Sequence, residues 1–222
     1  MKYLYHHLGL GDHILCNGLV REMVKKYDSI NLFCKTSNLT SVSSMYHDLQ
    51  DRLTFIAVKG DPDVYDITNQ LPSGEVINIG HRGNPWNERC DESFDVQFYK
   101  QAGLSINKKY NSFFIDRTGL PQIPVPDGEY IFVHEDKPRG YSIDWTKLPD
   151  GKSISAIKGD YPIFAYLPII EKATEIHVID SAFLCLIDCM LVRGKKFLHK
   201  YARPTSTFET VSVTSDWKIY NE

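Results

Sequence analysis

The stretch MKYLYHHLGLGDHILCNGLV (residues 1–20) decides the fold class. Its apolar and aromatic start reads as a β-strand over residues 1–8. The chain then runs through Gly9-Leu10-Gly11 and Asp12-His13 into apolar residues at helical spacing. Ile14, Leu15, Leu19 and Met23 fall on one face, with Arg21, Lys25 and Lys26 on a more polar one, which predicts a helix over 12–27. Strand, glycine turn and helix together open a βαβ unit. Glycines at a helix start let a ligand approach the backbone N–H groups. A dinucleotide fingerprint would continue to a third glycine, with an acid about twenty residues on. Here Ile14 holds the third position, and the second predicted strand ends in Cys34-Lys35-Thr36. The loop also lacks the Gly-Lys-Ser/Thr of a phosphate-binding P-loop. Asp12 instead stands at the helix start, either as a plain N-cap worth about 1 kcal/mol or as a group that faces a ligand.

The alternation continues outward. Strands are predicted at 29–34, 53–58 and 76–79, and helices at 37–49 and 63–70. This order predicts a parallel sheet covered by helices. Residues 80–103 begin polar and loop-like and turn amphipathic from Glu92. Residues 117–130, RTGLPQIPVPDGEY, hold three prolines and two glycines and read as a linker. After it the alternation restarts, with strands at 130–134, 153–157, 175–180 and 196–199 and helices at 163–172 and 181–192. The tail from Thr205 is polar, with Trp217 and Tyr220 expected to dock. The expected domains are therefore 1–118 and 119–222, two small Rossmann-like α/β units facing across a cleft. Ligands in such sheets sit outside the carboxyl ends of the strands.

Composition sets limits. Hydrophobic residues make up 42% and charged residues 24% of the 222 positions, as in ordinary globular proteins. A net charge of −3 argues against a nucleic-acid binder held by a broad basic surface. The five cysteines, Cys16, Cys34, Cys90, Cys185 and Cys189, are odd in number and lack metal spacing, which points to a reducing compartment. No signal-peptide pattern or membrane-length apolar run is present, so a cytoplasmic protein is expected.

Three further stretches carry chemistry. In EYIFVHEDKPRGYSID (129–144) a buried strand ends at His134 and leads to Arg139, a residue type suited to bidentate phosphate contacts. A surface turn with Arg139 paired to Asp136 or Glu135 is the equal alternative. In EIHVIDSAFLCLID (175–188) the strand ends at Asp180, and Ser181-Ala182 open a helix. Such an N-terminus binds phosphate, or is simply capped by Asp180 or Ser181. His177 alternates with apolar neighbours and reads as a buried, satisfied histidine. FLHKYARP (197–204) adds His199, Lys200 and Arg203 after the last strand, a weak positive signal on its own.

HLGLGDHILCNGLVR resembles the N-terminal glycine-aspartate loop of the heptosyltransferase-like (family 9) glycosyltransferases of the GT-B fold. FVHEDKPRG, EIHVIDSAF with LIDC, and LHKYAR are similar to the C-terminal donor-binding half of small bacterial and viral relatives. The resemblance implies transfer of a sugar from a nucleotide-diphosphate sugar to a glycan hydroxyl, with inversion, no essential metal and no other cofactor. It makes Asp12 the catalytic base. It places donor binding at His134, Arg139, Asp180, Ser181 and Ala182. Acceptor candidates are Gly11, His13, His81, Arg82 and Trp86, with Asn87, since a tryptophan face stacks on a sugar and Arg and Asn supply hydrogen bonds; a His13 side chain pointing away and a loop with one tryptophan packed down are the equal alternatives. A carboxylate within reach of the acceptor hydroxyl takes its proton, while Arg139 and the N–H groups at Ser181 meet the charge on the leaving diphosphate.

Three other classes stay open. A nicotinamide enzyme on two Rossmann-like halves is disfavoured by the missing third glycine and acid. A degenerate, non-catalytic nucleotide- or glycan-binding module would bind without turnover. A generic α/β protein would use all three motifs as helix caps.

Overall fold

The computed structural model describes residues 1–80, 92–156, 161–203 and 212–222. The chain divides into two compact units, Met1–Thr118 and Gly119–Glu222, the division falling inside the proline-rich stretch.

The first unit runs β1 (Lys2–Tyr5), α1 (Leu10–Leu15), α2 (Asn17–Lys26), β2 (Ile30–Lys35), α3 (Leu39–Ser44), β3 (Leu53–Val58), α4 (Asp61–Thr68), β4 (Val76–Asn78), α5 (Phe94–Gln101) and α6 (Lys108–Asn111). Its four strands are all parallel, in the order β3-β2-β1-β4. Central β1 and β2 are buried by Leu4, Tyr5, Leu32, Phe33 and Cys34, the continuous apolar reading of a sheet covered on both faces.

The helix expected over 12–27 is two helices, separated at Cys16. A continuous helix would bond the Leu19 N–H to the Leu15 carbonyl. Here the Tyr99 hydroxyl stands between them, accepting from Leu19 N–H at 3.1 Å and donating to the Leu15 carbonyl at 2.9 Å. A side chain inserted into the backbone ladder is a recognised cause of a helix break. Gly18 is required at the same place, because a Cβ there would meet the Lys108 carbonyl oxygen at 2.1 Å. Asn17, fully buried, accepts the Phe114 N–H at 3.0 Å. A buried ion pair, Lys109 to Asp95 at 3.0 Å, ties α6 to α5.

Other departures have local causes. The helix expected over 37–49 is reduced to α3 with 3-10 turns on either side. Ser43 and Ser44 donate back to the carbonyls of Thr40 and Ser41, a competition that weakens helices. α4 starts two residues earlier than expected, with Pro62 in its first turn.

The second unit runs β5 (Ile131–His134), β6 (Ser153–Ala156), α7 (Leu167–Lys172), β7 (Glu175–Val178), α8 (Ala182–Cys189), β8 (Lys195–His199) and β9 (Trp217–Tyr220). All five strands are parallel, in the order β6-β5-β7-β8-β9. α8 is buried nearly all round. The Oδ1 of its one charged residue, Asp188, accepts from Trp217 Nε1 at 3.0 Å, from Thr214 N–H at 2.8 Å and from the Thr214 hydroxyl at 3.0 Å. The tail expected only to dock is thereby fastened as a fifth strand. Cys16, Cys34, Cys185 and Cys189 are buried and, among the described residues, form no disulfide. Among the described residues no helix is long and apolar enough to cross a membrane.

Tyr99→Phe keeps the ring but removes the bridging hydroxyl from two buried backbone groups. It should destabilise the protein by about 1–3 kcal/mol, measured as a lower thermal melting temperature; an unchanged melting temperature would contradict the bridging role.

Candidate functional site

In each sheet the chain order reverses once, and ligands in open parallel sheets bind where it does, outside the strand carboxyl ends. The first sheet reverses between β1 and β4. There the Ile79 N–H donates to the Tyr5 carbonyl at 2.8 Å, and His7 Nε2 lies 3.2 Å from the Gly80 carbonyl oxygen. α1 begins at this point. Its N-cap is Gly9, so Asp12 is the third helical residue and not the cap itself. Its carboxylate folds back over Gly9, where a Cβ would lie 2.5 Å from Asp12 Oδ2. Backbone hydrogen bonding at Gly9 and Asp12 favours the ionised form, as an acid three residues beyond the cap does in a capping box. Burial is the larger effect and raises the Asp12 pKa above the ordinary carboxylate value, against the opposing pull of His7 and Lys35. The result is a carboxylate more basic than a surface aspartate, with Gly11 beside it.

His13 does not face the same way. It is fully buried, edge-on to the His6 ring at 4.5 Å, and burial depresses its pKa well below the usual value. Neither ring nitrogen has a hydrogen-bond partner among the described residues. The expectation that His13 contacts an acceptor does not fit a side chain enclosed in the core. His81, Arg82 and Trp86, with Asn87 and Cys90, lie outside the described residues.

The second sheet reverses between β5 and β7, where the Ile179 N–H donates to the His134 carbonyl at 3.2 Å. After β5 the chain makes a tight turn. Asp136 and Tyr141 exchange backbone hydrogen bonds at 2.9 and 3.1 Å, and left-handed Gly140, at φ 83°, closes a 3-10 turn over Lys137–Arg139. The Arg139 guanidinium pairs through Nε and Nη2 with Oδ2 of buried Asp136. The ion-paired surface turn, left open in the sequence, is therefore what this segment forms. After β7, Asp180 is buried, and Ser181 caps α8, its hydroxyl accepting the Phe183 N–H at 3.2 Å; Ala182 is the first helical residue. His134 is buried against the Phe183 ring at 4.2 Å, its pKa lowered to about 4 by burial, and its Nδ1 has no hydrogen-bond partner among the described residues.

Arg203, a weak signal in the sequence, also arrives here. It donates through Nη1 to the Asp180 carbonyl at 2.5 Å and lies over the Tyr141 ring at 5.3 Å. The signal that could have found it is its place just past a predicted strand's carboxyl end.

His177 is buried and satisfied, as expected. Its Nε2 lies 3.3 Å from Glu175 Oε2 and its Nδ1 3.0 Å from His199 Nε2. His199 Nδ1 is 3.0 Å from the Tyr201 hydroxyl, which accepts the Asp144 N–H at 2.9 Å. The Glu175 carboxylate, which can only accept, sets the direction for neutral rings: His177 donates to Glu175, His199 to His177, and Tyr201 to His199. The chain anchors Asp144, in the segment after β5, to the end of β8, and works with both histidines neutral. Among the described residues no group of three or more His, Cys, Asp or Glu side chains is placed to hold a metal ion.

Neither a protein-family model nor a curated protein matches the sequence. Two solved structures do match its fold. One is the bacterial iron-containing dodecameric glycosyltransferase TibC from enterotoxigenic E. coli H10407, with a TM-score of 0.55 and 12% identity over 98% of this chain. The other is the glycosyl transferase family 9 protein from Veillonella parvula DSM 2008, with a TM-score of 0.51 and 9% identity over 99% of this chain. The fold is the one these glycosyltransferases share. The chain spans 61% of the TibC chain and 85% of the Veillonella one. At this identity the likeness to the glycosyltransferases is one of fold, and the chemistry has to be argued from the two switch points.

Burial lowers the pKa values of His13, His134, His177 and His199, the second and fourth to about 4. The unfolded chain takes up protons below about pH 6.5 that these sites refuse. The stability is thus fully present above that pH and is lost as pH falls toward 4. For a histidine held at about 4 the loss is on the order of 2 kcal/mol at pH 5. The melting temperature should fall clearly between pH 7.5 and pH 5; equal melting temperatures would contradict neutral burial of these rings.

Proposed function

We propose that the protein is a glycosyltransferase that moves a sugar from a nucleotide-diphosphate sugar to a glycan hydroxyl. The observation that carries this reading is Asp12: a carboxylate made more basic by burial, held back over Gly9, at the switch point of a parallel sheet. The fold shared with two solved glycosyltransferases supports it.

In this reading Asp12 accepts the proton of the acceptor hydroxyl as that oxygen attacks the anomeric carbon. A single displacement inverts the configuration there. The second unit holds the donor, and positive charge and backbone N–H groups at the β5–β7 switch point stabilise the diphosphate as it leaves. No metal is assigned to this step. His134, neutral and with Nδ1 unbonded, accepts a hydrogen bond from a donor hydroxyl. The acceptor side is assigned to Gly11 and to His81, Arg82 and Trp86, whose indole offers a face for a sugar ring.

Asp12→Asn removes the base and nearly preserves the shape. It should lower turnover by a factor on the order of 100 to 10,000, while the melting temperature and nucleoside-diphosphate affinity stay close to those of the unsubstituted protein. Near-normal transfer by the variant would reject Asp12 as the base. Donor binding without any turnover by the unsubstituted protein would favour the non-catalytic binding module.

A further inference from the structure

Charge at the β5–β7 switch point is unevenly compensated. Arg139 spends Nε and Nη2 on one carboxylate oxygen of Asp136, so this pair carries no net charge. Arg203 is different. Its partners are a carbonyl oxygen, that of Asp180, and the face of Tyr141. Neither cancels a unit charge, and no carboxylate forms an ion pair with it among the described residues. Its buried Nε has no hydrogen-bond partner.

Two other buried polar atoms in this region share that condition, His134 Nδ1 and Asp136 Oδ1. Buried polar atoms are normally bonded, and each exception calls for a partner. The three atoms come from β5, from the turn after it and from the segment after β8. They are linked by the Asp136–Tyr141 backbone pair and by Arg203 lying over Tyr141. Arg139 lies over the same ring, at 5.7 Å. The arrangement offers one uncompensated guanidinium with donors to spare and, close by in the fold, two acceptors suited to hydroxyl groups.

We propose that Arg203 is the principal diphosphate-binding side chain of the second unit and that Arg139 is secondary. A guanidinium with an open fork binds a phosphate through two hydrogen bonds. Arg139 keeps further N–H donors, but its charge is already cancelled by Asp136, whose carboxylate would stand beside the phosphate. Arg203 keeps its full charge, with donors beyond the one on the Asp180 carbonyl. The inference rests on the reading of this unit as the donor side, and it reverses the order of importance of the two arginines in that reading.

The test uses isothermal titration calorimetry of the full chain, with inorganic pyrophosphate and a panel of nucleoside diphosphates as probes. Arg203→Ala should weaken pyrophosphate binding by about tenfold or more, as loss of a charge-assisted hydrogen bond does. Arg139→Ala should weaken it by a smaller factor, and Arg203→Lys should fall between Arg203→Ala and the unsubstituted protein. Melting temperatures without ligand separate lost binding from lost folding. Should Arg203→Ala melt early, Arg203→Lys and Arg139→Ala still rank the two positions. Equal affinity in Arg203→Ala and the unsubstituted protein overturns the inference, as does a larger loss from Arg139→Ala. Failure of the unsubstituted protein to bind pyrophosphate or any nucleoside diphosphate also overturns it. The transferase reading is decided separately, by turnover and its loss in Asp12→Asn.

Discussion

The Tyr99 hydroxyl donates to the Leu15 carbonyl and accepts from the Leu19 amide, two groups that an unbroken helix would bond to each other. Much of the first unit follows from that substitution. It satisfies both backbone groups at a break that would otherwise leave them buried and bare. It lets α1 exist as a six-residue helix of its own, capped by Gly9 and Cys16. It also brings α5 against the break, and Gly18 brings the Lys108 carbonyl of α6 there. Asp12 lies less than one turn before Leu15, where the Tyr99 bridge begins. The position of its carboxylate therefore depends on a residue more than eighty positions away in the chain.

The two units solve one problem twice. A parallel sheet collects its strand carboxyl ends along a single edge, and the point of reversal leaves a crevice between two connections. In the first unit the connections begin at His6 and Ile79, in the second at Glu135 and Ile179. Both places combine a helix start with polar groups that are drawn out of water, and the consequences differ by charge. At Asp12 burial makes an acid more basic. At His134 burial keeps an imidazole neutral. The same desolvation thus raises the basicity of a carboxylate in one unit and keeps a ring nitrogen neutral in the other.

Most of the strands were legible in the sequence, because a parallel strand buried on both faces is a short apolar run between turn signals. Leu53–Val58 matches its expectation residue for residue. What stayed hidden was set by distant partners. Asn17-Gly18 is only a weak local signal of the break at Cys16, and Tyr99, far along the chain, makes it. Trp217–Tyr220 lies in an otherwise polar tail that reads only as docking, and Asp188 of α8 fastens it. Asp12 was legible as a special residue at a helix start, but whether it or Gly9 caps the helix depends on backbone angles. His13 follows it in the chain and points into the core, as neighbouring helical residues diverge by about 100° around the axis. Arg139 and Arg203 were both visible as positive charge past a strand end. Their order of importance depends on which one finds a carboxylate, and only the fold pairs Arg139 with Asp136.

Under the proposed function, the second unit binds a nucleoside diphosphate at the β5–β7 switch point. Backbone-amide NMR of the isotope-labelled protein, titrated with the nucleoside diphosphates, tests it most directly. The expected shifts are concentrated at Asp136–Tyr141, at Asp180–Phe183 and around Arg203. Shifts confined to other parts of the chain, or none with any nucleoside diphosphate, would contradict it.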